Sequence, residues 1–141
     1  MRSGLVACVV AVCTLLVLDA VWLSVGGAGS AFFSTAAGIG TIQPWKGWQT
    51  ALFAFAAYAL LSTAVCSTVI VDEDPARAAA RGALVGFVIY GVFDFTNLAI
   101  FGRGYGMDLA FSDLAWGTFL VGTSSLMGSL AGNSMQAKAS A

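Results

Sequence analysis

Four unbroken apolar runs, approximately residues 4–25, 47–71, 83–101 and 109–131, leave this chain few ways to fold. Each is long enough to cross a bilayer core of ~30 Å, which takes about 20 helical residues. The runs do not alternate with polar residues, so a closed barrel of strands is a poor fit. Helices satisfy their own backbone groups in lipid and are the expected element. Composition agrees: 59% of the 141 residues are hydrophobic and only 9% charged, against roughly 25% charged in a soluble domain. The spacing therefore predicts an all-α integral, multi-pass membrane protein. Residues 1–141 form one four-helix bundle with both termini on the same side and membrane lipids as neighbours. A net charge of -1 without a basic cluster argues against a nucleic-acid partner.

The first run has a rival reading as a secretory leader, since Arg2 precedes it and small residues follow it from 26 to 31. It is longer than the usual leader core and carries Asp19, so a retained helix is expected. Between the second and third runs, Asp74 and Pro75 form an N-cap and first-turn pair, which predicts that the third helix starts before the membrane. Arg77 and Arg81, four apart on its first turns, then lie at headgroup level. Trp45, Lys46 and Trp48 have the character of interface anchors at the entry to the second helix. With the termini inside, Arg2, Arg77, Arg81 and Lys138 are cytoplasmic, and Lys46 and Arg103 face the other side. This is a modest positive-inside bias. The loop from 26 to 47 is rich in Gly, Ser and Ala, with Phe32 and Phe33 suited to the outer surface. Residues 101–108, FGRGYGMD, read as a tight turn, because their glycine pattern follows a helix rather than a strand.

The chemistry lies in the polar residues inside the spans. Asp19, Asp94 and Asp113 each sit within an apolar run, and antiparallel threading puts all of them in the same half of the membrane. Trp22 lies three after Asp19, Asn97 three after Asp94 and Trp116 three after Asp113, while Tyr90 lies four before Asp94. Each helix thus presents paired polar groups on one face. An ionised aspartate facing lipid costs about 2.5–3.5 kcal/mol or more, so the three are expected to turn inward and meet. Three carboxyls with at most Arg103 near them in sequence cannot comfortably all be charged, which makes a shared-proton site the sharp expectation. The plainer alternative is a structural network of interhelical hydrogen bonds. Gly82 and Gly86 form GxxxG, and Ala51, Ala54 and Ala57 give the second helix a smooth face, both suited to close packing. Cys8, Cys13 and Cys66 read as small buried hydrophobes rather than a disulfide pair. With no histidine in the chain, no metal or cofactor is expected.

LDAVWL at 18–23, YGVFDFTNLAIF at 90–101 and SDLAWGTFL at 112–120 resemble the DxxWL, YxxYDxTNxA and DxxWG motifs of a family of small membrane proteins. That family is catalogued as domain of unknown function 2177. TIQ at 41–43 is similar to an element that some members carry after the first helix. The resemblance covers nearly the whole chain. It marks Asp19, Trp22, Tyr90, Asp94, Thr96, Asn97, Asp113, Trp116 and Gly117. Two departures stand out: Phe93 replaces a frequent tyrosine, and the turn after DFTN is about one residue longer, with Tyr105 near the usual tryptophan. The resemblance implies a four-helix membrane protein and brings no activity with it.

The residues themselves favour binding or transport of a proton, a cation or a small amine-bearing solute. Asp94 and Asp113 would titrate, Thr96 and Asn97 orient, and Trp22 and Trp116 form walls. Solute passage through so few helices would call for a homo-oligomer or a larger membrane complex. The alternatives are a membrane-embedded lipid-modifying enzyme, which would need one acid protonated and one ionised, and a structural or accessory subunit.

Overall fold

The computed structural model describes residues 2–24, 47–71 and 74–140. Trp45, Lys46, the diphenylalanine at 32 and 33 and the TIQ element at 41–43 lie outside the described residues. Among the described residues four long helices are present: α1 (Arg2–Ser24), α2 (Trp48–Val71), α3 (Pro75–Phe101) and α4 (Met107–Ser140). All four are long and apolar enough to cross a membrane. A short 3-10 turn, Gly102–Gly104, joins α3 to α4.

The helices thread up and down. Cys8 of α1 reaches Cys66 of α2, while Asp19 reaches Tyr58, so these two run antiparallel. Gly132 and Gly128 of α4 lie against Ala7, at the start of α1. Gly82, Gly86 and Gly91 of α3 meet Ser125, Gly117 and Leu114 in that order, so α3 and α4 are also antiparallel. Both termini therefore fall on the same side. α4 is the central element and packs chiefly against α3 and α1. Leu15, Val65, Leu120 and Val121, none of them exposed, form the middle of the core.

Each helix begins or ends for a local reason. Asp74 caps α3, its side chain accepting from the Ala76 N–H at 3.1 Å, with Pro75 in the first turn and Arg77 paired to Asp74 at 3.5 Å. The helix thus starts before the apolar run at 83, as the cap predicts. It stops at Gly102, whose N–H still donates to the Leu98 carbonyl and whose φ of 54 then turns the chain out of the helix. α4 runs on to Ser140 rather than ending near 131. The apolar run ends near 131, but Met135, Gln136, Ala137 and Lys138 beyond it are good helix formers with no proline among them, so the helix continues.

Two expectations about packing need correction. Cys8 and Cys66 are joined as a disulfide across α1 and α2, with Cα atoms 5.0 Å apart, while Cys13 is free and exposed. Adjacent antiparallel helices bring them together, which spacing within either helix could not reveal. The alanine face of α2 is not a packing face: residues 51–57 are all exposed, and α2 joins the bundle further along, through Tyr58, Leu61, Val65 and Thr68. The GxxxG of α3 does pack, with Gly82 and Gly86 fully turned toward α4.

Candidate functional site

Where α1 and α3 approach their C-terminal ends and α4 begins, the polar side chains gather. Asp19 is 8% exposed and Asp94 0%, inside helices whose outer surfaces are Val, Leu, Ile and Phe. Their carboxyls are met by neutral donors carried on other elements. The Tyr58 hydroxyl donates to Asp19 Oδ2 at 2.5 Å, and Trp116 Nε1 donates to Asp19 Oδ1 at 3.2 Å. One carboxyl thus ties α1 to α2 and to α4. Trp22 stacks on Trp116 with ring centroids 4.5 Å apart and planes 4° from parallel. The DxxW pairs of α1 and α4 therefore meet each other, through the second tryptophan and the first aspartate.

Asp94 has a different partner. The Tyr105 hydroxyl donates to its Oδ1 at 2.7 Å, and the Asn97 side chain lies beside the same hydroxyl. Tyr105 is on the turn between α3 and α4, outside both spans. Burial first, and then the bond to Asp94, push its hydroxyl above the ordinary tyrosine value, so it remains a donor throughout the physiological range. The second oxygen of Asp94, Oδ2, is buried and has no hydrogen-bond partner among the described residues.

Asp113 is half-buried and lies within electrostatic reach of both Asp94 and Asp19. Tyr90, also half-buried, feels all three carboxyls. Its ring lies flat over Gly117, where any side chain would occupy the ring's own place, so the glycine one residue after Trp116 is required by the tyrosine. Among the described residues no group of three or more His, Cys, Asp or Glu is arranged to hold a metal ion. The three acids form a loose constellation with aromatic groups between them.

Of the side chains singled out from sequence, Asp19, Trp22, Tyr90, Asp94, Asn97, Asp113 and Trp116 come together. Thr96 does not. It is exposed and lines an outward groove with Phe87, Gly91 and Ile100, because it lies two residues after Asp94 and so points to the far side of α3. Two participants escaped the sequence reading. Tyr58 had a visible signal, a polar-headed aromatic in an otherwise Ala, Leu and Phe stretch, but nothing pointed to its partner. Tyr105 stood near the usual tryptophan of the family motif, but nothing along the chain gave it a role or a partner. Tyr58→Phe is expected to lower stability by about 0.6–2 kcal/mol, as for an interhelical hydrogen bond in a membrane protein. Reversible unfolding in mixed detergent would measure it.

A comparison with protein-family profiles matches residues 4–130 to the family described as "Predicted membrane protein (DUF2177)". No curated protein and no solved structure matches the chain.

Proposed function

This chain belongs to the DUF2177 family of membrane proteins, and from that premise we propose that it binds a proton, an alkali cation or a small amine-bearing solute at Asp94 and Asp113. The observation that carries the reading is the Oδ2 atom of Asp94, buried without a partner among the described residues while its neighbour atom is hydrogen-bonded. A buried carboxyl oxygen left unsatisfied is expensive, and it is most directly satisfied by a positively charged visitor. Asp113 adds a second negative group within electrostatic reach, while the donors seen around Asp19 and Asp94 are all neutral. Asn97 and Tyr90 are the polar neighbours that would orient the visitor, and Trp22 and Trp116 wall it in.

Asp19 takes a separate part. Both of its oxygens are engaged, by Tyr58 and Trp116, which favours a structural role for this acid within the same cluster. Transport is the extension of the reading. If a solute crosses, copies of the chain assemble around the path, since four helices enclose little space.

Purified protein titrated with sodium, potassium, ammonium or methylammonium at constant ionic strength is expected to gain thermal stability from at least one of them. The gain follows RT ln(1 + [L]/Kd), about 2.7 kcal/mol at a hundred times Kd. Asp94→Asn and Asp113→Asn should each weaken that effect about tenfold or more while leaving the helical spectrum intact. Unchanged cation dependence in both variants would refute the reading. Proteoliposome flux with the same variants then separates binding from passage.

A further inference from the structure

Tyr105 is outside the helices, in the turn that joins α3 to α4, yet it is only 4% exposed. A tyrosine at a membrane surface has water and headgroups for its hydroxyl, so a phenol drawn inward needs a cause. The backbone supplies one. Gly102 at φ 54 and Gly106 at φ 85 bracket it in left-handed conformations that glycine adopts without strain. Between them the 3-10 turn Gly102–Gly104 leads to Tyr105, whose ring reaches Asp94, ~10 Å back along α3 from its end. The phenol thus covers the carboxyl from the side where α3 ends and α4 starts.

A permanent clasp would be built differently. A leucine at 94 with a phenylalanine at 105 would seal the same space without burying an acid. A clasp meant to stay closed would also satisfy both carboxyl oxygens, because a half-satisfied buried polar group is a poor way to hold two elements together. Here the hydroxyl is held by Asp94, with Asn97 beside it, while Oδ2 has no partner among the described residues. That pattern fits a latch that opens.

We propose that Tyr105 is the gate residue of the Asp94 site: a ligand entering from the α3–α4 turn displaces its phenol from Oδ1 and takes both carboxyl oxygens. The inference rests on the reading of Asp94 as a cation site and adds which ligands pass. The entrant is a small cation, an alkali ion or an ammonium group no bulkier than methylammonium. A quaternary amine would need a wider opening than this wholly buried carboxyl offers.

The test is modification of Asp94 in the full-length protein by a water-soluble carbodiimide with glycinamide, followed by peptide mass spectrometry. Exposed Asp74 serves as the internal reference. In the wild type, Asp94 should react far more slowly than Asp74. Tyr105→Phe keeps the ring but loses the latch, and should speed Asp94 labelling about threefold or more, the worth of one interhelical hydrogen bond. Tyr105→Ala removes the plug as well and should speed it about tenfold or more, as for a locally opened segment. Equal Asp94 rates in the wild type and both variants would overturn the gate. Should Tyr105→Ala fail to fold, the phenylalanine variant decides alone, and no rise in its rate overturns the proposal. Protection of Asp94 by sodium or methylammonium, but not by tetramethylammonium, supports the size limit, and equal protection by all of them overturns it. Faster labelling in the variants with no protection by any cation leaves the gate standing and sinks the cation reading beneath it.

Discussion

Gly86→Leu is expected to abolish the folded bundle, and Gly86→Ala to lower stability by about 1–3 kcal/mol. A Cβ placed on Gly86 would run into the carbonyl group of Gly117, with the Thr118 Cα 3.1 Å away. These are backbone atoms, so no side chain can swing aside to make room. The same closeness recurs one turn earlier, where Gly82 meets the Val121 carbonyl and Ser125. In lipid no hydrophobic force pushes helices together, and this close backbone approach is a main source of attraction between them. Gly4→Ala is the control, because nothing lies within 4 Å of the added atom. It should be neutral or stabilising by up to about 1 kcal/mol through helix propensity alone. Unfolding of the variants in mixed detergent checks both. A Gly86→Ala protein as stable as Gly4→Ala would show that α3 and α4 do not touch where they are placed.

Trp116→Ala should be nearly as damaging, at about 3 kcal/mol or more. The indole donates to Asp19, stacks on Trp22 and touches Phe119, with ring centroids 5.6 Å apart for the last pair. Its removal takes away a large packed surface and one of the two donors that satisfy a buried carboxyl. Trp116→Phe separates these contributions in part, since it keeps a smaller aromatic face for Trp22 while losing the N–H and the second ring of the indole. Its cost should be about 0.6–2 kcal/mol. Equal losses in the two variants would mean that the Trp22 stack contributes nothing.

Much of this arrangement is legible along single helices. Apolar run length locates the four spans, and Asp74 with Pro75 fixes the start of α3 before its apolar stretch. The three acids had to turn inward because lipid offers them nothing, and Asp19 and Asp94 are buried accordingly. The i,i+3 spacing put Trp22 and Trp116 on the faces of their acids, and they meet. Thr96 marks the limit of such reasoning. It belongs to the family motif and adjoins Asn97, yet helical rotation carries it to the outer face.

The sequence by itself determined the class of protein, the number of spans, their antiparallel order and the end of the bundle at which the carboxyls lie. These depend on local hydropathy and chain direction, which neighbouring helices do not alter. Only the tertiary structure decided that Asp19 is shared between Tyr58 and Trp116, that Cys8 meets Cys66, and that a turn tyrosine reaches down to Asp94. A helix dictates which side chains share its own face. What stands opposite is set by the rotation and depth at which the next helix packs, and close contacts such as Gly86 on Gly117 fix both.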